Sequence, residues 1–136
     1  MNVALRLSPQ SLSRLSAYND TGLGPHAQAL WRDLCAAAAT GLPLAVVALA
    51  AALIDVVAHE DTGPAGYLDG ATFSFAGNKS ALVWLRRRRN GILHHEQPTD
   101  GLMGETDAAR WLVADAERAV TTLLEYLADL DNGGAD

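Results

Sequence analysis

Pro43-Leu44-Ala45-Val46-Val47-Ala48-Leu49-Ala50-Ala51-Ala52-Leu53-Ile54-Asp55-Val56-Val57-Ala58-His59 is apolar nearly all round. Leu44, Val46, Val47, Leu49, Leu53, Ile54, Val56 and Val57 leave no polar stripe along a helix. A helix without a polar face belongs in the middle of a bundle. The apolar run from Leu42 to Ala58 is interrupted by Pro43 and Asp55 and is rich in alanine, which makes it a poor membrane span. Asp55 is the lone charge. A buried carboxylate is expensive without a partner, so Asp55 is expected to face a polar site or the rim of the bundle.

Upstream, Ser8-Pro9 reads as a helix start, with Ser as the cap and Pro in the first helical position. Leu12 and Leu15 give that short helix an apolar face, and it is expected to end near Asn19. Thr21-Gly22-Leu23-Gly24-Pro25 is a loop by composition. A second helix follows from Pro25, with Leu30, Trp31, Leu34 and Ala38 at helical spacing. Gly41 and Pro43 predict a tight break after Thr40.

Downstream, His59-Glu60-Asp61 closes the apolar helix before the stop at Thr62-Gly63-Pro64. Residues 66–77 are irregular. Phe73 and Phe75 alternate, but no second strand is there to pair with them, which favours a loop with a helical turn. Asn78 can cap a helix through Leu82, Trp84 and Leu85 that carries basic residues in its last turn, where they suit the macrodipole. Residues 97–104 read as a loop. Thr106 then caps a long final helix, with Asp107 in its first turn. Its apolar stripe is Leu112, Ala116, Ala119, Leu123, Leu127 and Leu130; its wet face is Asp115, Arg118, Thr122, Glu125 and Asp129. Asn132-Gly133-Gly134 ends it. The expectation is an all-α, antiparallel four- to five-helix bundle: one domain over residues 1–136, its core about 26–130, with the helix at 8–19 as an appendage.

Composition narrows the classes. The formal charge is -6 over 136 residues, which argues against a protein that coats nucleic acid non-specifically. Cys35 is the single cysteine, so no intrachain disulfide can form, as suits a reducing, cytoplasmic setting. Met1 to Gln10 lacks the pattern of a signal peptide. His94-His95-Glu96 and His59-Glu60 have no H-E-x-x-H spacing, and neither a Gly-rich phosphate loop nor a G-x-S-x-G turn occurs. No metal and no cofactor is expected. Trp31, Trp84 and Trp111 lie on apolar helical stripes and read as core or dimer contacts.

Against this background Leu85-Arg86-Arg87-Arg88-Arg89-Asn90-Gly91-Ile92-Leu93-His94-His95-Glu96 stands out. Four of the ten Lys and Arg residues are consecutive here. Metal-free RNA cleavage needs a base, an acid and a cation on the phosphate. Histidine can serve as either proton-transfer group, and arginine clamps phosphate oxygens in pairs. On a continuous helix Arg89 and His94 point about 140° apart, whereas Asn90 and His94 share a face. Gly91 could relax this by breaking the helix, or a two-fold dimer could supply paired groups. An arginine run is also, more blandly, a solvated helix surface.

Arg89-Asn90-x-x-x-His94, within this helical context, resembles the signature of the HEPN superfamily over roughly residues 26–130. The resemblance implies a helical bundle that dimerises so that two motifs line one cleft. It implies a metal-independent endoribonuclease acting as a toxin or defence effector, with RNA as substrate and an antitoxin protein as a possible partner. Carried onto this chain, Arg89 would hold the phosphate, His94 would transfer protons and Asn90 would orient the pair. Arg86, Arg87, Arg88 and His95 would contact RNA, with His95 able to replace His94 by one step of register. A subset paired with nucleotidyltransferase antitoxins has Tyr two positions after the His; Glu96 stands here. Other members are silent modules that bind RNA, nucleotide or protein. A plain helical dimerisation scaffold, its arginines paired with carboxylates of its mate, is the reading from outside the family.

Overall fold

The computed structural model of the chain describes residues 5–61, 79–94 and 108–131. These residues form α1 (Pro9–Ala17), a 3-10 turn (Asp20–Gly22), α2 (Pro25–Thr40), α3 (Pro43–Asp61), α4 (Lys79–His94) and α5 (Ala108–Asp131), with no strand among them. The fold is the all-α bundle expected. The expectations at Phe73, Phe75, Asn78, His95, Glu96, Thr106 and Asp107, and over 97–104 and 132–134, lie outside the described residues.

The ends of the first three helices follow the local chemistry. The Ser8 hydroxyl accepts the Ser11 N–H at 3.1 Å, and Pro9 occupies the first turn. α1 stops at Ala17, somewhat earlier than expected, because Asn19 caps the 3-10 turn by accepting the Thr21 N–H at 3.1 Å. Between α2 and α3, the Ala37 carbonyl accepts the N–H groups of Gly41 and Leu42 at 3.1 and 2.9 Å. That closure needs a left-handed residue, and Gly41 has φ 84°. A Cβ there would also come within 3.3 Å of the Leu5 Cβ. α3 therefore starts cleanly at Pro43.

α3 is the hub, packed against α2, α4 and α5. Val46, Val47, Ala50, Ala51, Leu53, Ile54 and Val57 are buried, as its lack of a polar face requires. Ala116, Ala119, Val120, Leu123, Tyr126 and Leu127 of α5 join the same core. Each large apolar side chain buried here contributes about 1.5–3 kcal/mol. Among the described residues no helix is long and apolar enough to cross a membrane.

Three features depart from the sequence reading. First, α1 is not an appendage. Leu7 and Leu15 are in the core cluster, and the Glu117 carboxylate of α5 accepts the Ser8 N–H at 2.5 Å and the Ser11 hydroxyl. A carboxylate at a helix N-terminus also meets the positive end of the dipole. Ser11 faces Glu117 and Arg14 faces Thr121, so α1 and α5 run in the same direction, as up-and-down alternation demands. Second, Thr122 is 3% exposed rather than wet. Its hydroxyl donates to the Arg118 carbonyl at 2.9 Å, so its polar atom is satisfied within its own helix. Third, α4 does not end at the arginines. It runs through Gly91 to His94, so Arg86–Arg89 lie in its middle. An interior glycine costs roughly 1 kcal/mol of helix propensity, which packing of the buried Gly91 overrides.

Candidate functional site

The helical repeat distributes four adjacent arginines around α4, since each step turns about 100°. Arg86 and Arg89 turn toward α3. Arg89 Nη1 donates to Asp55 Oδ2 at 3.0 Å, and Arg86 Nη2 lies 3.6 Å from Asp55 Oδ1. The lone charge of the apolar helix is thus the acceptor for two guanidiniums. Arg89 Nε and Nη2 both donate to the Asn90 amide oxygen, at 3.2 and 3.0 Å. That Nε–Nη2 edge is the fork that would otherwise grip a phosphate in bidentate fashion.

Arg88 turns the other way, toward α5. Its Nε lies 2.5 Å from Asp115 Oδ2, and its side chain is only 6% exposed. Such a guanidinium can stay charged inside a bundle because its partner sits opposite it. One turn earlier the Arg118 guanidinium lies over the Trp84 ring, 4.1 Å from its centroid, a cation–π contact. Arg87 faces solvent. Arg86 and Arg89 gather against the Asp55 carboxylate and Arg87 faces solvent beside them, so among the described residues this side of α4 carries more positive than negative charge.

Asn90 is half-buried and His94 is exposed in the last position of α4. Because the helix is unbroken at Gly91, the geometry of a continuous helix holds: Asn90 and His94 share a face, and Arg89 and His94 diverge by about 140°. The structure therefore brings Arg89, Asn90, Asp55 and Arg86 together, and leaves His94 apart from Arg89 within one chain. His95 lies outside the described residues.

The sequence pointed to Asp55 as needing a polar partner, without saying which. Asp115 and Arg118 fall on the wet face of the helical wheel; their spacing from Trp111 marks one stripe of α5, but that this stripe meets α4 follows only from the tertiary packing. Trp31 is in the core beside Tyr18, ring centroids 4.8 Å apart, whereas Trp111 is 44% exposed. On another side of the bundle, a groove of about 590 Å³ runs between α1 and α5 past Ser11, Arg14, Glu117 and Thr121. The Cys35 thiol is pushed up from its ordinary pKa by burial and, secondarily, by the charge of Asp20. Among the described residues no group of three or more His, Cys, Asp or Glu side chains is placed to hold a metal ion.

The fold and this cluster define a class: a small all-α bundle with a guanidinium–carboxylate network on one helix and an exposed basic edge beside it. No protein-family model, no curated protein and no solved structure matches the chain.

Proposed function

We propose that the chain is a HEPN-like binding module that holds RNA by its phosphates along α4. Arg86 and Arg87 supply the exposed contacts, and Asp55 and Asn90 hold Arg89 in a fixed orientation at the edge of the ridge. Arg88 belongs to the packing of α4 on α5. The observation that carries this reading is the division of the arginine run: Arg87 faces solvent and Arg86, though drawn toward Asp55, keeps 59% of its side chain exposed, while the fork of Arg89 is filled by Asn90 and its Nη1 by Asp55. Among the described residues no histidine is set beside Arg89 by its own chain, and the carboxylate there, Asp55, is engaged by Arg86 and Arg89, so binding is better supported than cleavage.

The test is anisotropy of a labelled single-stranded RNA at several salt concentrations. Wild type should bind, and the double variant Arg86→Ala/Arg87→Ala should bind several-fold more weakly. Its salt slope should fall by about 0.7 for each phosphate contact removed. Absence of RNA binding at low salt would overturn the proposal.

A second reading is favoured by Asn90 and the exposed His94 sharing one face of α4. A homodimer that brought the His94 of each copy to the Arg89 of the other would complete the pair, and the pair would cleave RNA without metal. A cleaving dimer would also call for an antitoxin-like partner to restrain it. Incubation with RNA in EDTA decides this. Cleavage lost in both His94→Ala and Arg89→Ala, with toxicity on expression of wild type only, establishes the dimeric ribonuclease. Cleavage that survives both substitutions removes these residues from the chemistry.

A further inference from the structure

α4 and α5 meet rung by rung. Trp84 pairs with Arg118 and Arg88 with Asp115, so residue numbers rise on one helix as they fall on the other. The next rung of this antiparallel ladder sets Gly91 opposite Trp111. Trp111, Asp115 and Arg118 follow one another at steps of four and three, which places all three on the same stripe of α5. The first two rungs are each closed by a side chain from both helices. At the third, where α4 ends and α5 begins, glycine offers none, and Trp111 is left 44% exposed.

Among the described residues, basic side chains border Trp111. Arg87, Gly91 and His94 also recur at steps of four and three, so Arg87 and His94 flank the glycine along one stripe of α4. Both are exposed, and so is Arg110 beside the tryptophan. A half-exposed flat indole bordered by guanidiniums suits a planar ring whose attached group is anionic. A second copy of this chain suits it poorly, because a two-fold contact here would set the arginines of each copy against those of the other.

We infer that Trp111 is a stacking platform for an unpaired nucleobase of single-stranded RNA, laid on the exposed part of the indole with the adjoining phosphate on Arg87. This rests on the RNA-binding reading above and narrows its substrate to single strands. Stacking supplies affinity without sequence preference, because every base presents a π-face.

Labelled oligouridylate, an abasic oligomer of equal length and double-stranded RNA are the probes. Wild type, Trp111→Ala, Trp111→Phe and Arg87→Ala are compared by anisotropy, with circular dichroism to confirm that each variant is folded. Trp111→Ala should weaken oligouridylate binding about 5- to 150-fold, the span of one lost base stack. It should leave the abasic oligomer and double-stranded RNA unchanged. Trp111→Phe should recover most of the loss, and Arg87→Ala should weaken every probe. Binding of oligouridylate that Trp111→Ala leaves intact overturns the stacking site alone. No binding of any probe by wild type overturns the RNA reading with it. Conversion of a dimer to monomers by Trp111→Ala in sedimentation assigns the surface to a second copy and also overturns the inference.

Discussion

The seam between α3 and α5 and the two seams of α4 are built on opposite principles. α3 and α5 meet through Val46, Val47, Ala50, Leu53, Ala119, Leu123 and Leu127, a dry contact of aliphatic side chains. α4 contributes Leu85 to that core but is tied down on one flank by Asp55 with Arg86 and Arg89, and on the other by Asp115 with Arg88 and by Trp84 with Arg118. Apolar burial is non-directional and tolerant of small shifts. Ionic contacts fix the rotation of a helix but return little net stability, because each charge must first lose water. The comparison teaches that α4 is the element held for orientation, and the rest of the bundle is held for stability.

The strongest challenge to that contrast is Leu53→Ala in the dry seam. Leu53 is fully buried, so the cavity should cost about 2–5 kcal/mol in urea denaturation. A loss below roughly 1 kcal/mol, smaller than any typical cost for a buried leucine, would mean the seam is not the stabilising half.

A smaller effect is expected at Asp115→Ala, which removes the carboxylate facing Arg88 Nε. Breaking a buried pair costs about 3–5 kcal/mol, and the 25% exposure of Asp115 should hold the loss at or just below the lower end. Arg88→Met, which removes the charge and keeps the volume, should be near neutral or stabilising. If Arg88→Met proves as damaging as Asp115→Ala, the ion pair contributes stability after all.

Smallest in stability but informative in binding is Asp55→Asn. Asp55 and Arg86 are well exposed, at 37% and 59% of their side chains, so the change should stay within about 1 kcal/mol. On the proposed function it frees Arg86 and Arg89 from a competing carboxylate. RNA affinity should then rise, with a steeper salt dependence. Weaker binding would show that Asp55 is needed to aim the arginines rather than to restrain them.

Much of the fold could be read directly. Ser8-Pro9, the Gly41–Pro43 break and the polar-free run after Pro43 are signals that act within a few residues or one helical turn, and the structure follows each of them. The misreadings share a cause. Thr122 and Asp115 look wet on a helical wheel, and the helix at 8–19 looks short and marginal, because a wheel knows nothing of a neighbour. Thr122 is buried with its hydroxyl bonded to its own helix, Asp115 meets Arg88, and α1 is anchored by Glu117, a residue more than a hundred positions away. Gly91 looked like a breaker and is helical, since its propensity cost is small beside the packing of α4.

The sequence by itself determined that the chain is helical, where its first helices end, and that one helix lies at the centre with a charge in need of a partner. It also singled out Arg86–Arg89 with Asn90 and His94. Only the tertiary structure decided which of those arginines reach water and which are occupied by Asp55, Asn90 and Asp115. Periodicity fixes the angle at which each side chain leaves its own axis. What waits at that angle depends on how a second helix is rotated and registered, which no local pattern encodes.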